Sequence, residues 1–177
     1  RWQERNLNMT ALTDACTTLS NEEISETLDL YIPSAVAIES ASFDEETACL
    51  SATLSTARYS IIRDGVNGIN YLTASQIHTH LAQVGYIFAN QYRIRSLAPM
   101  RDIAHREFKN LIYNGSFKFS GTSVSYHAPV YNDFRSYTMQ ISLERAVSAK
   151  DFRFAKIRFE TNGNYFSGSA TISIGPV

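Results

Sequence analysis

Residues 70–92, NYLTASQIHTHLAQVGYIFANQY, decide the fold of this chain, because they have the pattern of one long, mostly buried helix. At about 100° per residue, one side of that helix carries large apolar side chains beside a stripe of small ones. A sheet can pack closely on such a surface, and the later half of the chain alternates as strands do. The pattern therefore predicts a helix wrapped by a sheet. The large apolar side chains are Ile77, Leu81, Val84 and Phe88, and the small-residue stripe is Ala74, Ala82, Gly85 and Ala89.

The opposite arc of the same helix is polar but carries neither a carboxylate nor a lysine. It consists of Gln76, Thr79, His80 and Gln83, and His80 is the one candidate acid or base on it. His78 falls near the small-residue stripe, where we expect a histidine of the core or of an interface. The two imidazoles point about 160° away from each other on a helix, so they cannot share a metal ion. The sequence predicts no metal site and no cofactor.

The composition indicates one folded domain. The chain has 177 residues, of which 44% are hydrophobic, and 16 basic against 17 acidic residues give a formal net charge of -1. This length suffices for one well-buried core, and the scattered lysines and arginines argue against a nucleic-acid-binding surface. We expect residues 21–177 to form a single domain, and residues 1–20 to be disordered or to be added sequence outside it.

Cysteine content and apolar runs set the expected compartment. Cys16 and Cys49 are too few for a disulfide framework. We find no secretory signal and no apolar run near the ~20 residues of a membrane span. These features predict a cytoplasmic protein without a membrane span.

Local signals place further elements on both sides of the long helix. Ser20, Glu22 and Glu23 have the pattern of a helix start, and Pro33 limits the other end. Two stretches of small and β-branched residues flank an acidic turn, as in a hairpin. The predicted elements are a helix at 22–31, strands at 35–43, 47–56 and 58–63, a turn at 64–68, a weaker helix at 100–113, and strands at 117–126, 137–145, 152–160 and 166–174.

The order of these elements predicts an α+β hot-dog fold, in which a curled antiparallel sheet is wrapped around a long central helix. Helices placed entirely before the strands would instead indicate a cone-shaped α+β barrel, but the strands before residue 64 favour the hot-dog fold. Alternation in the last strands predicts one buried face. The residues expected on it are Phe152 and Phe154, followed by Lys156, in one strand, and Ala170, Ile172 and Ile174 in the next.

From about Leu28 onward, the chain resembles the type III long-chain fatty acyl-CoA thioesterases of mycobacteria and the related enzymes that add glycine to an α,β-unsaturated acyl-carrier thioester. The resemblance rests on the turn and long helix, and on three short motifs whose order and spacing match. The motifs are Ala82-Gln83-Val84-Gly85-Tyr86, Asn162-Gly163 and Ser167-Gly168. It implies a thioester of CoA or of an acyl carrier protein as the substrate, and a homodimer or higher homo-oligomer with the site at a subunit interface.

The chain departs from that family at its ionisable residues. The family's Thr-Gly-His-Phe-Asn entry to the helix falls on Ile69-Asn70-Tyr71-Leu72-Thr73, and the family's glutamate falls on Gln76. A glutamine cannot accept a proton as a general base, although it can orient a water molecule or a carbonyl. The substitution disfavours hydrolysis relative to addition, in which a deprotonated amine is its own nucleophile.

The candidate site residues lie at the start of the helix and in the turn before it. Gln76 has two interpretations, because Thr73 and Gln76 also form the S/T-x-x-E/Q pattern of a capping box. Amides of the helix start can polarise a thioester carbonyl in either case. The candidate catalytic residues are Gln76, Tyr71, Asn70 and His80, and the candidate substrate-binding residues are Asn67, Gly68, Ser75 and Gln83.

Two functions follow from these features. The first is an enzyme acting on an acyl thioester, by hydrolysis or by addition or dehydration on an enoyl thioester, with helix N-terminal amides polarising the carbonyl. The second is a protein on the same fold that binds an acyl chain or a small apolar ligand without turnover. His105 and His127 are expected to be surface or structural residues.

Overall fold

The structure, a computed structural model, describes residues 16–56, 72–130, 136–149 and 151–175. Within these ranges the helices are α1 (Asn21–Thr27), α2 (Ala74–Ile94) and α3 (His105–Tyr113), with short 3-10 turns at Pro33–Ala35 and Asn162–Asn164. The strands are β1 (Cys16–Thr18), β2 (Ile38–Asp44), β3 (Cys49–Ser55), β4 (Phe117–Tyr126), β5 (Ser136–Ala149), β6 (Phe152–Thr161) and β7 (Phe166–Ile174).

The strands form one sheet in the order β1-β2-β3-β5-β6-β7-β4, and every neighbouring pair is antiparallel. The hairpin of β2 and β3 comes before α2 in the chain, and the other long strands come after it. Because β5 pairs with β3, the two groups join into one continuous sheet. The sheet curls around α2, as predicted.

The core lies between α2 and the concave face of the sheet. Thirteen residues of α2 are buried, so the helix is enclosed on most of its circumference. Apolar side chains of the helix meet inward-facing side chains of several strands, and this burial supplies most of the stabilisation of such a fold. Fully buried members of this core are Leu81, Val84 and Ile87 from α2, and Phe43, Leu50, Leu54, Met139, Ile141, Ile157 and Phe159 from the sheet.

A glycine allows the sheet to approach α2 closely. A Cβ atom built on Gly85 would lie 2.1 Å from Cζ of Phe119 on β4, so the phenyl ring occupies the space of the missing side chain. Tyr86 extends this contact, because its ring packs on those of Phe117 and Phe119 at centroid distances of 5.2 and 6.2 Å. The small-residue stripe thus packs against the sheet at this point, as the sequence predicted.

Most predicted elements are present, with shifts at their ends. α1 ends at Thr27, before the predicted limit at Pro33, and Pro33 instead begins a 3-10 turn. α3 begins only at His105, because the chain before it forms turns. β5 extends to Ala149 through a register shift between Leu143 and Arg145, so the predicted break at residues 148–150 comes too early. The predicted strand at 58–63 and the turn at 64–68 lie outside the described residues.

The sheet also begins earlier than the predicted domain boundary at residue 21. β1, at Cys16–Thr18, pairs with β2, and the amide of Leu19 donates to the carbonyl of Ala41. Ser20 then caps α1 in a capping box with Glu23, as expected from the sequence. Residues 16–20 therefore belong to the folded unit.

The predicted inward face of β6 is wrong. Phe152 and Phe154 are 44% and 38% exposed, and their rings stack on each other at 6.3 Å on the outer face. The buried residues of β6 are Ala155, Ile157, Phe159 and Thr161. The apolar pattern changes phase between Phe154 and Ala155, and the two large side chains at the start of the strand indicated the wrong phase. In β7, the predicted burial of Ala170, Ile172 and Ile174 is confirmed.

Within the described residues, no helix combines the length and the apolar character that crossing a membrane requires.

Candidate functional site

An apolar cavity of about 420 Å³ lies against the first turn of α2. Its lining combines residues from the start of the helix with the end of β4, the chain that follows β4, and the first residue of β7. Apolar side chains dominate, as in sites that bind small molecules. The lining residues are Leu72, Ala74, Ile77, Tyr126, His127, Ala128, Pro129, Val130 and Phe166.

Burial divides the lining into a floor and a rim. The floor consists of buried residues: Ile77 and Phe166 are 2% and 1% exposed, and Leu72 and Val130 are also buried. The amide of Leu72 donates to the carbonyl of Val130 over 2.9 Å, which joins the helix start to the segment after β4. The rim consists of exposed residues, namely Ala74, Tyr126, His127, Ala128 and Pro129.

The first turn of α2 is held by the predicted capping box. Oε1 of Gln76 accepts from the amide of Thr73 at 2.8 Å and from the Thr73 hydroxyl at 2.9 Å, and the Gln76 amide donates to Thr73 Oγ1 at 3.4 Å. The hydroxyls of Thr73 and Ser75 lie 3.0 Å apart. Gln76 is buried and does not line the cavity, and its contacts with Thr73 are those of a cap.

Helix geometry leaves donors beside the cavity. The amides of a first helical turn have no acceptor within the helix, and their partial positive charge attracts a carbonyl oxygen. Here the Gln76 amide is used by the cap, whereas those of Ala74 and Ser75 belong to the same turn, and Ala74 lies on the rim. The amide donors and the apolar cavity therefore meet at one place.

His80 is buried one layer behind the cavity. Its Nδ1 lies 2.8 Å from the hydroxyl of Tyr137, and the two rings stack at a centroid distance of 5.9 Å. Burial lowers the pKa of His80 from 6.5 to about 4, so the imidazole is neutral at pH 7. Burial also raises the pKa of Tyr137, whose hydroxyl therefore stays protonated. Phe166, which contacts Tyr137, lies on the cavity side of this pair.

Gln83 connects α2 to the chain that enters β2. Its Oε1 accepts from the amide of Ala37 at 2.9 Å, and its Nε2 donates to the carbonyl of Ala35 at 2.8 Å. The side chain is fully buried and does not line the cavity. These contacts are structural, and they fix the position of the first β2 residues against the helix.

The other polar residues of α2 are placed differently from the expectation. His78 is exposed and its Nδ1 contacts the carbonyl of Ala74 at 2.8 Å, so it is not a core histidine, and its place at an interface stays a prediction. The Thr79 hydroxyl donates to the carbonyl of Ser75. The polar arc, in contrast, is mostly buried, since Gln76, His80 and Gln83 are all buried.

Four predicted site residues lie outside the described residues, namely Asn67, Gly68, Asn70 and Tyr71. Tyr71 directly precedes Leu72 in the sequence, and Leu72 belongs to the cavity floor. The structure brings together the helix start and the cavity, and neither His80 nor Gln83 lines that cavity.

His127 is a rim residue that the sequence analysis expected to be surface or structural. Its amide donates to the carbonyl of Tyr165 at 2.8 Å, and its Nε2 lies 3.0 Å from the Ser167 hydroxyl. These two contacts hold the imidazole at the cavity entrance. The only sequence signal was its position directly after a strand, which did not show that the strand ends beside the start of α2.

No protein-family model matches this sequence, and no curated protein matches it. Solved structures do match. A Shewanella oneidensis protein related to the thioesterase superfamily aligns with a TM-score of 0.53 at 14% identity, covering 87% of this chain and 94% of that one. The dehydratase domain from the CurJ module of curacin polyketide synthase aligns with a TM-score of 0.52 at 10% identity, covering 92% of this chain and 51% of that one.

At such low identities the likeness shows the fold alone. The enclosed position of α2 excludes the cone-shaped barrel, which has its long helix outside the sheet. The prediction from the order of the elements is confirmed: the chain has the hot-dog fold, a curled antiparallel sheet wrapped around a long central helix.

Proposed function

We propose that this protein acts on an acyl thioester whose acyl group occupies the cavity at the start of α2. The observation that carries this proposal is the position of the cavity on the first helical turn, with Ala74 on its rim and Ile77 in its floor. An acyl group in the cavity would have its carbonyl near the rim, where we expect the Ala74 and Ser75 amides of the first helical turn to donate to it. Such preorganised donors stabilise the charge that develops on the carbonyl oxygen.

The lining favours addition or dehydration over hydrolysis. Among the described residues that form it, His127 and Tyr126 are the groups able to exchange a proton, and both stand at the rim. Amine addition to an enoyl thioester needs a polarised carbonyl and a proton delivered to the carbon next to it, while the amine itself attacks. This agrees with Gln76 at the position where the resembling family has a glutamate.

We assign the proton transfer to His127. Its ring stands at the entrance and is held by Ser167, whereas His80 is fully buried and does not line the cavity. Asn70 and Tyr71, immediately before the helix, remain candidates for orienting the carbonyl. Gln76 acts through the cap, by keeping the first-turn amides in place.

The same proposal includes a homodimer or higher homo-oligomer. β4 is the last strand on one side of the described sheet, so its outer backbone edge has no neighbouring strand among the described residues. An open edge is a template for pairing with another chain, and half-buried Tyr86 and Phe119 lie beside it. Light scattering of the purified protein measures its mass directly, and a monomer would contradict this part of the proposal.

The experiment is product analysis by mass spectrometry with a panel of saturated and α,β-unsaturated thioesters of CoA and of acyl carrier protein, each with and without glycine. We expect a gain of mass on an intact unsaturated thioester, and a loss of this gain in His127→Gln. His105→Gln, which changes a histidine outside the cavity, is the matched control. Free acid as the main product would contradict addition and support hydrolysis. Absence of any product together with tight thioester binding would instead support the non-catalytic binding protein.

A further inference from the structure

Aromatic side chains support Phe166 in the floor of the cavity. The ring of Phe166 in the floor packs against Tyr137 and Phe159 at centroid distances of 5.9 and 6.4 Å. Phe166, Tyr137 and Phe159 are 1%, 3% and 1% exposed. Behind them, Tyr137 is fixed by its hydrogen bond with His80. A ligand that enters from the rim therefore meets a buried and well-supported layer.

The space beyond this layer is filled. Further along α2, the interface between helix and sheet contains a void of about 10 Å³, which is at most the space that one water molecule needs, ~10–15 Å³. Its walls are large side chains of the helix, the sheet and the chain after the helix, among them Phe88, Tyr92, Met100 and Phe117. At this point along α2, the described residues leave no room for an alkyl chain.

The volume of the cavity gives a second limit. At about 420 Å³ it lies near the lower end of the ~300–1,000 Å³ range of small-molecule sites. Part of that volume is at the open rim, so the buried part is smaller still. Phe166, Ile77 and Leu72 form the buried part of the cavity, where the end of the acyl group would lie.

We propose that the acyl group of the substrate is short or consists of a single ring, and that Phe166 sets the length limit. This inference rests on the proposed function and names its substrate class, thioesters of short-chain or monocyclic acids. It differs from what the resemblance to long-chain acyl-CoA thioesterases implies. Each methylene that fits in the cavity increases affinity about fourfold, and a chain too long for the cavity overfills the site at Phe166 and binds more weakly.

The test is a calorimetric measurement of binding with acetyl-, butyryl-, hexanoyl-, benzoyl-, lauroyl- and palmitoyl-CoA, and in parallel with the corresponding free acids. In the wild type, we expect affinity to rise up to hexanoyl or benzoyl and to fall about tenfold or more for lauroyl and palmitoyl, because overfilling a packed site is unfavourable. Phe166→Ala should restore lauroyl binding. Phe166→Leu, a smaller change that keeps an apolar floor, should shift the preference in the same direction.

Phe159→Leu is the matched control, because Phe159 supports Phe166 but does not line the cavity. It should leave the length preference unchanged. Preference of the wild type for palmitoyl, or an unchanged preference in both Phe166 variants, would overturn the inference while leaving the proposed function intact. If no thioester binds but the free acids show the expected limit, the proposed function fails and the length limit stands; if neither series binds, both fail.

Discussion

The Nδ1 atom of His80 and the hydroxyl oxygen of Tyr137 lie 2.8 Å apart in a fully enclosed position, although 57 residues separate them in the sequence. This pair joins the central helix to the middle of the sheet. A buried polar contact of this kind stabilises the fold mainly because either group, buried without a partner, would lower the free energy of unfolding. Any other register of helix and sheet would separate the two groups, so the contact fixes the register between the two elements.

The first prediction concerns the pH dependence of stability. The pKa of His80 is about 4 in the folded protein, against 6.5 when exposed, so between these values the unfolded chain binds more protons. We expect the free energy of unfolding to be highest above pH 6.5 and to fall as the pH decreases towards 4, with a contribution on the order of 3 kcal/mol. Urea unfolding at a series of pH values measures this.

His80→Phe should lower stability at neutral pH but remove most of that pH dependence. His78→Gln, which changes an exposed imidazole on the same helix, should leave the dependence as in the wild type. An unchanged slope in His80→Phe would show that other groups cause the loss of stability in acid.

The second prediction separates capping from chemistry at Gln76. Thr73→Ala and Gln76→Ala each break the same capping box, so each should lower the free energy of unfolding by about 1 kcal/mol. We expect the two variants to lose turnover to the same extent, because both loosen the first-turn amides. Rates for the two variants are compared at a temperature where both remain folded. A much larger loss in Gln76→Ala would assign Gln76 a direct role at the substrate.

The third prediction concerns the close packing at Gly85. Helix propensity alone would make Gly85→Ala stabilising by about 1 kcal/mol. The 2.1 Å approach to Phe119 reverses the sign, and we expect a destabilisation of about 1–3 kcal/mol. In a double-mutant cycle, Phe119→Leu should make the added methyl group much less costly. Additive effects in thermal unfolding would contradict the contact.

The fourth prediction compares two phenylalanines of β6. Phe159 is 1% exposed, so Phe159→Ala should cost about 3–5 kcal/mol through the cavity it creates. Phe154 is 38% exposed on the outer face, and Phe154→Ala should cost clearly less, because water already reaches its ring. Chemical unfolding of the two variants measures the difference, and equal losses would mean that Phe154 is buried in solution.

Local sequence signals determined the elements of this protein. The long helix, its capping box at Thr73 and Gln76, the hairpin before it and the limits of β4 and β7 depend on periodicity, capping and turn residues within a few positions of one another. The order of these elements in turn predicted the hot-dog fold. Where apolar side chains fall on both faces of a strand, as at Phe154 and Ala155, the local pattern does not specify which face is buried.

The tertiary structure alone decided the site. The polar arc of α2 looked like a chemical surface in the sequence, but His80 and Gln83 are buried and paired with groups far away in the chain. The cavity arises because the end of β4 meets the start of α2, which places His127 and Phe166 beside Ile77. Contacts between residues so far apart in the chain depend on how the sheet closes around the helix, and no periodicity or spacing within one segment specifies that closure.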